Sequence, residues 1–343
     1  MNRKLLVIGA LPHKGKGSTF GGVTVLNKRF LEFLEGSEVD FNFITLNKFH
    51  FRFSGLLNSI YFFLILLFKL KGVSHVLFNA TYKGIYYISP LVYILTKIFK
   101  KKFIIRIFAG NLDQSLQNTN KLNRFIVDKT ILKSDFIFVE TKHLIDFLKR
   151  RGCENVFWYP NVRPKIITKN NIPKYNSKFV FIGHVKESKG IKEIIEASKI
   201  IGEDYCIDVY GPFTDGSCST NDFAVSNVDY KGIISPDDVI NTLMRYDILL
   251  LPTFHNGEGY PGIIIEAFSI GMPVIASKWR AIPEIVNNNN GILITPKNSQ
   301  ELAKSMRMMD EKLHKKLSLG AINSFKNFEE KSIYQKIIKI INN

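Results

Sequence analysis

Short apolar runs alternate along the chain with longer stretches in which apolar residues recur every three or four positions. The short runs predict strands at 5–10, 41–46, 73–79, 102–108 and 135–140, and the longer stretches predict helices at 22–34, 55–70, 84–99, 121–132 and 141–151. Strands that alternate with helices favour a parallel, doubly wound sheet. The first half of the chain is therefore predicted to be an α/β domain.

The alternation stops at residues 159–164, where Tyr-Pro-Asn-Val-Arg-Pro shows neither period, and then begins again. The second series predicts strands at 178–183, 206–211, 247–252, 273–277 and 291–295, and helices at 190–201, 236–245, 262–270, 280–286 and 299–309. A chain of 343 residues exceeds the roughly 250–300 at which one core stops growing. We therefore expect two Rossmann-like, doubly wound domains, 1–165 and 166–325, that face a cleft.

The net charge of +17 is concentrated in the first domain. Residues 1–165 hold 26 Lys or Arg against 10 Asp or Glu, whereas residues 166–343 hold the remaining 21 and 20. No acidic residue lies between Asp40 and Asp113, a segment rich in Leu, Ile and Phe that contains ten basic residues. This composition is typical of a surface that binds anionic lipid. Nucleic acid, the other polyanion that basic surfaces attract, is disfavoured because no nucleic-acid module signature is present.

Residues 53–70 come nearest to a membrane-spanning segment. Their unbroken apolar core covers only the nine residues 60–68, and a bilayer requires about 20. We therefore expect a helix that packs on the sheet and touches lipid from one side. The three cysteines are scattered without metal-ligand spacing, which favours a reducing cytosol. The expected location is cytoplasmic, peripheral on the inner face of the cell membrane.

Two carboxylates, Glu258 and Glu266, follow the predicted strand that ends at Pro252 and are separated by seven uncharged residues. Pro261 and Gly262 begin a helix, so the N–H groups of residues 262–264 are free to bind an anion such as a diphosphate. Either glutamate alone is better explained as a charge that offsets the helix dipole, worth about 0.3–1 kcal/mol. The presence of both glutamates around this helix start favours a ligand held between them.

This segment resembles the retaining GT-B glycosyltransferases of family 4, which carry Glu-x7-Glu, then Ala and a Gly-x-Pro-Val strand. The matching residues are Glu258, Glu266, Ala267 and 271–274. Four further segments are similar to the family's phosphate loop, base-binding turn, strand-to-helix closure and N-terminal glycine pair, and these are 181–190, 229–232, 282–285 and Gly21-Gly22. The resemblance covers most of the chain.

The resemblance implies a nucleotide-sugar donor, UDP- or GDP-linked, bound mostly by the second domain without any cofactor or metal ion. Glu266 would hold the ribose, Glu258 would face the transferred sugar, and Lys189 would neutralise the diphosphate leaving group. The expected donor-binding residues are Gly21, Gly22, Gly183, Lys189, Gly232, Ile233, Gly259, Tyr260, Gly262, Ile263, Ile264 and Glu266. The resemblance also implies that a C-terminal helix within 326–343 packs back on the first domain.

The sequence departs from the family pattern at two positions. His184 stands where the family usually has Arg, so either a protonated His184 supplies the second catalytic cation or the phosphate is held differently. The turn at 106–112 lacks the sugar-facing His that the family tends to place there. No Asp-x-Asp motif and no His at metal-ligand spacing are present, in keeping with the expected absence of a metal.

The expected activity is transfer of a sugar, with retention of configuration, from a nucleoside-diphosphate sugar to a glycan acceptor in surface-polysaccharide biosynthesis. We expect the acceptor to be lipid-linked and to bind the basic first domain. The alternative is a catalytically silent GT-B subunit that binds a partner or a membrane lipid.

Overall fold

A computed structural model of the protein describes residues 4–12, 22–46, 55–166, 172, 174–202, 205–224 and 227–342. Gly21, one of the expected donor-binding residues, lies outside these ranges. The chain forms two compact units, Met1–Pro160 with Lys331–Asn343 and Asn161–Glu330. Their boundaries lie within five residues of the positions 165 and 325 inferred from the sequence.

The first unit contains a parallel six-stranded sheet in the order β2-β1-β3-β4-β5-β6. Its strands are β1 (Leu5–Gly9), β2 (Phe41–Thr45), β3 (His75–Thr81), β4 (Lys102–Phe108), β5 (Phe136–Val139) and β6 (Val156–Trp158). The five predicted strands are confirmed. Strand β6 was not predicted because three residues are too few to show a period.

Helices cover both faces of this sheet. They are α1 (Gly22–Glu35), α2 (Gly55–Leu70), α3 (Tyr82–Tyr87), α4 (Ser89–Ile98), α5 (Leu112–Asn118), α6 (Lys121–Lys129), α7 (Lys142–Arg150) and, from the end of the chain, α13 (Glu330–Asn342). The single helix predicted at 84–99 is two helices. Pro90 lacks the N–H that would continue the first helix, and the Ser89 hydroxyl donates to the Gly84 carbonyl at 2.8 Å.

Helices α2, α4 and α6 share one face of the first sheet. Leu66 and Leu70 of α2, Val92 of α4 and Val127 of α6 lie in one buried apolar cluster with the strands. Among the helices within the described ranges, none is long and apolar enough to cross a bilayer. The expectation that residues 55–70 form a helix packed on the sheet is confirmed.

The opposite face is covered by α1 and α13. Tyr334 of α13 is fully buried, and its ring lies edge-on to Phe30 of α1 at 5.1 Å and to Tyr159 at 6.2 Å between centroids. The last helix therefore contributes to the aromatic core of the first unit.

The second unit contains another parallel six-stranded sheet, in the order β12-β11-β10-β7-β8-β9. Its strands are β7 (Lys178–Ile182), β8 (Cys206–Tyr210), β9 (Val228–Tyr230), β10 (Ile248–Leu251), β11 (Val274–Ser277) and β12 (Gly291–Ile294). Its helices are α8 (Ile191–Ile201), α9 (Val239–Leu243), α10 (Gly262–Ser269), α11 (Ser299–Arg307) and α12 (Glu311–Phe325).

The helix predicted at 280–286 was wrong. Only a 3₁₀ turn, Ile282–Glu284, forms there. Arg280 has φ +49°, outside the right-handed helical region, so a helix cannot begin at that residue. The two six-stranded sheets with flanking helices otherwise confirm the predicted fold class of two Rossmann-like α/β domains.

Candidate active site

Two loops at the carboxyl ends of adjacent strands β7 and β10 build the core of the candidate site. The backbone N–H of Phe254 donates to the Ser188 carbonyl at 2.8 Å, which ties the loop after β10 to the loop after β7. Gly190 ends the first loop with φ +83°, and a Cβ there would lie 2.3 Å from the Pro252 carbonyl oxygen. Only glycine permits this approach.

Lys189 and Glu258 meet at this junction. Lys189 Nζ lies 2.5 Å from Glu258 Oε2, and the two side chains are 16% and 9% exposed. The buried hydroxyl of Thr253 donates to the same carboxylate oxygen at 2.9 Å. A charge so far removed from water is stable only when paired and hydrogen-bonded, so removal of either partner would leave a costly buried charge.

Glu266 has a different partner, Arg163. Glu266 lies in the second turn of α10, and Arg163 Nε donates to its Oε1 at 2.7 Å. Arg163 Nη1 also donates to the Val162 carbonyl at 2.9 Å. A Cβ added at Gly262 would lie 2.1 Å from Arg163 Nη2, so the guanidinium occupies the space that a side chain would take at the start of α10.

Fewer backbone N–H groups are free at the start of α10 than the sequence predicted. We predicted free N–H groups at Gly262, Ile263 and Ile264, but the N–H of Ile264 donates to the Pro261 carbonyl at 3.1 Å. The prediction is therefore wrong for Ile264. Among the described residues, no acceptor binds the amides of Gly262 and Ile263, which are left for an anion.

A glycine follows each of the adjacent strands β7, β8 and β9, and the backbones at these strand ends lie in close contact. Gly183 N–H donates to the Tyr210 carbonyl at 3.0 Å, and Gly211 N–H donates to the Gly232 carbonyl at 2.9 Å. Gly211 has φ +136°, and a Cβ there would lie 1.8 Å from the Gly183 carbonyl oxygen. Ile233, which follows Gly232, leaves 70% of its surface exposed. The turn therefore presents an open apolar surface beside a close-packed backbone.

Tyr260 has a structural role that the sequence did not indicate. Its side chain is only 2% exposed, its hydroxyl donates to Glu284 Oε2 at 2.5 Å, and its carbonyl accepts from Asn161 Nδ2 at 2.7 Å. That Tyr260 binds the donor stays a prediction; its hydroxyl is already bonded to Glu284, whereas its backbone N–H lies next to Gly259 in the same loop. Gly259 beside it is partly exposed, and Gly22, in the other unit, is the exposed first residue of α1.

Two histidines lie in the positively charged part of the site. Desolvation lowers the pKa of His184 below its ordinary value, and the charges of Lys189 and Lys186 act in the same direction. Burial and the same two lysines lower the pKa of His255, against the opposing effect of Glu258. The lowered pKa values favour the neutral form of both rings at pH 7. His184 can supply the second cation considered above only if a bound anion raises its pKa.

Four residues of the site were missed from the sequence: Arg163, Gly211, Thr253 and His255. Arg163 lies in residues 159–164, where the alternation of strands and helices stops and nothing in the pattern marks a partner 103 residues away. Gly211 directly follows a predicted strand, which is the one signal that could have drawn attention to it.

The whole chain has the fold of the GT-B glycosyltransferases. Sucrose-phosphate synthase from Thermosynechococcus elongatus superposes with a TM-score of 0.75 at 14% identity, covering 99% of this chain and 98% of that one. HepE of Anabaena, in complex with UDP, superposes with a TM-score of 0.76 at 15% identity, covering 99% of both chains.

Residues 162–322, which include Lys189, Glu258 and Glu266, match the family model for glycosyl transferases group 1. An uncharacterized 41.2 kDa protein in the cps region of Klebsiella pneumoniae is 26% identical over 239 residues, 67% of this chain and 61% of that protein. The capsular polysaccharide biosynthesis glycosyltransferase CapM of Staphylococcus aureus is 26% identical over 179 residues, 49% of this chain and 47% of that protein. The putative teichuronic acid biosynthesis glycosyltransferase TuaC of Bacillus subtilis is 29% identical over 132 residues, 37% of this chain and 31% of that protein. Residues 162–322 are thus similar to the glycosyl transferases group 1 domain, and the matches span about a third to three fifths of these relatives.

Proposed function

We propose that the protein is a retaining glycosyltransferase that moves a sugar from a nucleoside-diphosphate sugar to a glycan acceptor in surface-polysaccharide biosynthesis. The observation that carries the proposal is the ion pair between Lys189 and Glu258 at the carboxyl ends of β7 and β10, within the segment that matches group 1. The relatives named for capsule and teichuronic acid biosynthesis support the class of product.

The reaction breaks the bond between the sugar C1 and the donor phosphate oxygen and forms a bond from C1 to an acceptor hydroxyl oxygen. Negative charge develops on the departing diphosphate, so a fixed cation and oriented amides lower the barrier. Lys189 supplies the cation, and Gly262 and Ile263 supply the amides. The acceptor attacks from the face that the phosphate leaves, and a donor phosphate oxygen takes the acceptor proton.

Glu258 faces the transferred sugar in this proposal, and Glu266 holds the ribose. The hydrogen bonds from Lys189 and Thr253 both fall on Oε2 of Glu258, so Oε1 can accept from a sugar hydroxyl. The donor is UDP- or GDP-linked. No metal is required, because Lys189 and the amides supply the positive potential that a metal would otherwise provide.

A pocket of about 260 Å³ in the first unit supports an acceptor site there. Asn79 lines it and is only 3% exposed, and no group in the described residues bonds either of its amide atoms. Such a buried amide requires polar partners, and the hydroxyls of a sugar can provide them. Lys83 and Tyr87 line the same pocket. The ammonium of Lys83 suits a charged part of the acceptor, and the ring of Tyr87 suits an apolar part.

The acceptor is lipid-linked in our proposal, and the first unit docks on the anionic inner face of the membrane. Helices α2, α4 and α6 pack on one sheet face, and each leaves large apolar side chains exposed. The most exposed on these helices are Phe68 at 79%, Ile98 and Leu122 at 66%, Phe125 at 59% and Leu64 at 58%. Apolar side chains among basic residues are the pattern of a peripheral membrane surface.

A donor screen tests the activity. The protein is incubated with UDP- and GDP-linked sugars and membrane extract, with and without EDTA, and release of nucleoside diphosphate is measured. We expect release with at least one donor and no loss in EDTA. If no donor is consumed, the alternative of a silent GT-B subunit is supported, and if EDTA abolishes release, the metal-free mechanism is wrong.

A further inference from the structure

We propose that Arg163 is a positioning residue that fixes the carboxylate of Glu266 for the ribose of the nucleotide, and thereby sets the preference for ribonucleotides over 2′-deoxyribonucleotides. This inference rests on the proposed function, in which Glu266 holds the ribose. It adds a residue outside the acid pair and its loops, and it names the property of the substrate that this residue controls.

Arg163 is held at both ends. Its backbone N–H donates to the Phe328 carbonyl, and its carbonyl accepts from the Glu330 N–H, each at 3.0 Å. At the other end, Nε donates to Glu266 at 2.7 Å and Nη1 donates to the Val162 carbonyl at 2.9 Å. The side chain is only 13% exposed. The guanidinium is therefore a fixed point against which the Glu266 carboxylate is oriented.

The stability of α10 does not account for this arrangement. The start of a helix carries a partial positive charge, so Glu266 already lies in a favourable field and a cation beside Gly262 is opposed by it. An ion pair with side chains only 13% and 19% exposed also loses hydration that its attraction repays incompletely. A pair with this geometry is better explained by preorganisation of the carboxylate.

The geometry leaves acceptor capacity for a ribose. An ionised carboxylate has about four lone-pair positions, and Arg163 uses one of them on Oε1. The remaining positions on Oε1 and Oε2 can accept from the neighbouring 2′ and 3′ hydroxyls. A glutamate that is already ordered loses no rotamer freedom on binding, which is worth about 2- to 12-fold in affinity per side chain.

The test is a set of nucleotide affinities measured by calorimetry on the full chain. UDP or GDP, whichever the wild type binds, is compared with its 2′-deoxy counterpart for Arg163→Met, Glu266→Gln and the double variant. We expect Arg163→Met to weaken the ribonucleotide about tenfold and the deoxynucleotide much less. The double variant should bind no more weakly than Glu266→Gln, because Arg163 acts through Glu266.

Two further variants separate positioning from folding and from general charge. Arg163→Lys keeps the charge but lacks the planar fork, so it should recover only part of the preference. Arg245→Met removes an exposed arginine of the same unit and should leave both affinities unchanged. A structural role would weaken both nucleotides equally together with a fall in Tm.

The outcomes distinguish the two proposals. If the wild type binds neither nucleotide, the proposed function fails and this inference fails with it. If the wild type binds the ribonucleotide but shows no preference, or if Arg163→Met keeps the full preference, only the role of Arg163 is overturned.

Discussion

At the scale of single residues, the site is a set of charges that hold one another in place. The ammonium of Lys189 is bound to Glu258, and the guanidinium of Arg163 is bound to Glu266. Glu258 takes one N–H of the Lys189 ammonium, so a diphosphate can accept from the others and gain a cation already fixed in position. Electrostatic stabilisation by groups that need no reorganisation is the largest contribution to catalysis in many enzymes.

Lys189→Met is expected to lower kcat about 10²- to 10³-fold, the loss seen when one stabilising donor of a developing charge is removed. Steady-state kinetics with the preferred donor measures it. Lys189→Arg should retain more activity because it keeps the charge. Lys192→Met removes an exposed lysine that pairs with Glu187 in the same region and serves as the matched control. Equal rates for Lys189→Met and Lys192→Met would contradict the leaving-group role.

Gly190→Ala is expected to destabilise the second unit by more than about 3 kcal/mol, since the methyl group meets the Pro252 carbonyl and the left-handed backbone costs about 1–2 kcal/mol. Urea denaturation measures the loss. Gly216→Ala is the matched control, because Gly216 has φ +70° and open space around it, so only the same backbone cost of about 1–2 kcal/mol applies. Equal losses in the two variants would show that the close approach at Pro252 is unimportant.

Binding of a nucleoside-diphosphate sugar, which has no terminal phosphate that titrates near pH 6, is expected to take up protons at that pH. The lowered pKa values keep His184 and His255 neutral in the structure, and a bound diphosphate raises them by adding negative charge. Calorimetry in two buffers of different ionisation enthalpy measures the uptake, which should vanish at pH 8. The double variant His184→Asn and His255→Asn should show little uptake. A wild type without uptake at pH 6 contradicts the placement of the diphosphate.

The same lowered pKa values determine how the stability of the protein without nucleotide changes with pH. Because both folded-state pKa values lie below those of the unfolded chain, the unfolded state binds more protons as the pH falls below about 6.5. The contribution of these two residues to stability is therefore present above that pH and lost below it.

At the scale of helices and strands, the membrane proposal rests on α2, α4 and α6, which cover one face of the first sheet and expose apolar side chains on their outer sides. We expect the triple variant Leu64→Ser, Phe68→Ser and Ile98→Ser to reduce binding to vesicles with anionic lipid by more than tenfold. Burial of one large apolar side chain contributes about 1.5–3 kcal/mol, so partial insertion of three exceeds the 1.4 kcal/mol that a tenfold change requires.

Vesicle co-sedimentation measures this binding, and added salt should weaken it because it screens the lysines. Leu319→Ser is the matched control, since Leu319 on α12 of the other unit is 56% exposed. Equal losses for Leu319→Ser and the triple variant would mean that the binding is not specific to this face.

Most elements could be predicted because their patterns are long or bounded by clear signals. The strand 102–108 was predicted at its observed limits, since six of its seven residues are buried or partly buried. The failures occurred where local pattern and backbone conflict. The pattern of residues 280–286 predicts a helix, but the positive φ of Arg280 depends on the surrounding structure and leaves no signal in the sequence.

Glu258 and Glu266 could be chosen as candidates from the sequence because one lies in the loop before α10 and the other in that helix, with only seven residues between them. The partner of Glu266 could not. Arg163 reaches it from 103 residues away, and no local period connects the two. Spacing within a segment thus singled out both glutamates as candidates, whereas their ion pairs required the fold.

At the scale of the whole molecule, the chain leaves the first unit at Pro160 and returns to it at Lys331. The returning helix α13 places Tyr334, fully buried, against Phe30 and Tyr159. The stability of the first unit therefore depends on residues that follow the second unit in the chain. A large-to-small change at such a buried aromatic costs about 3–5 kcal/mol.

Tyr334→Ala is accordingly expected to lower the free energy of unfolding of the first unit by about 3–5 kcal/mol and that of the second unit much less. The chain has two tryptophans, Trp158 in the first unit and Trp279 in the second, so Trp158→Phe and Trp279→Phe backgrounds make each unit visible by fluorescence. Lys336→Ala, an exposed position on the same helix, should shift neither transition. If the Trp158 signal keeps its midpoint in the Tyr334→Ala variant, α13 does not stabilise the first unit. If both signals move together by the same amount, the two units unfold as one cooperative body.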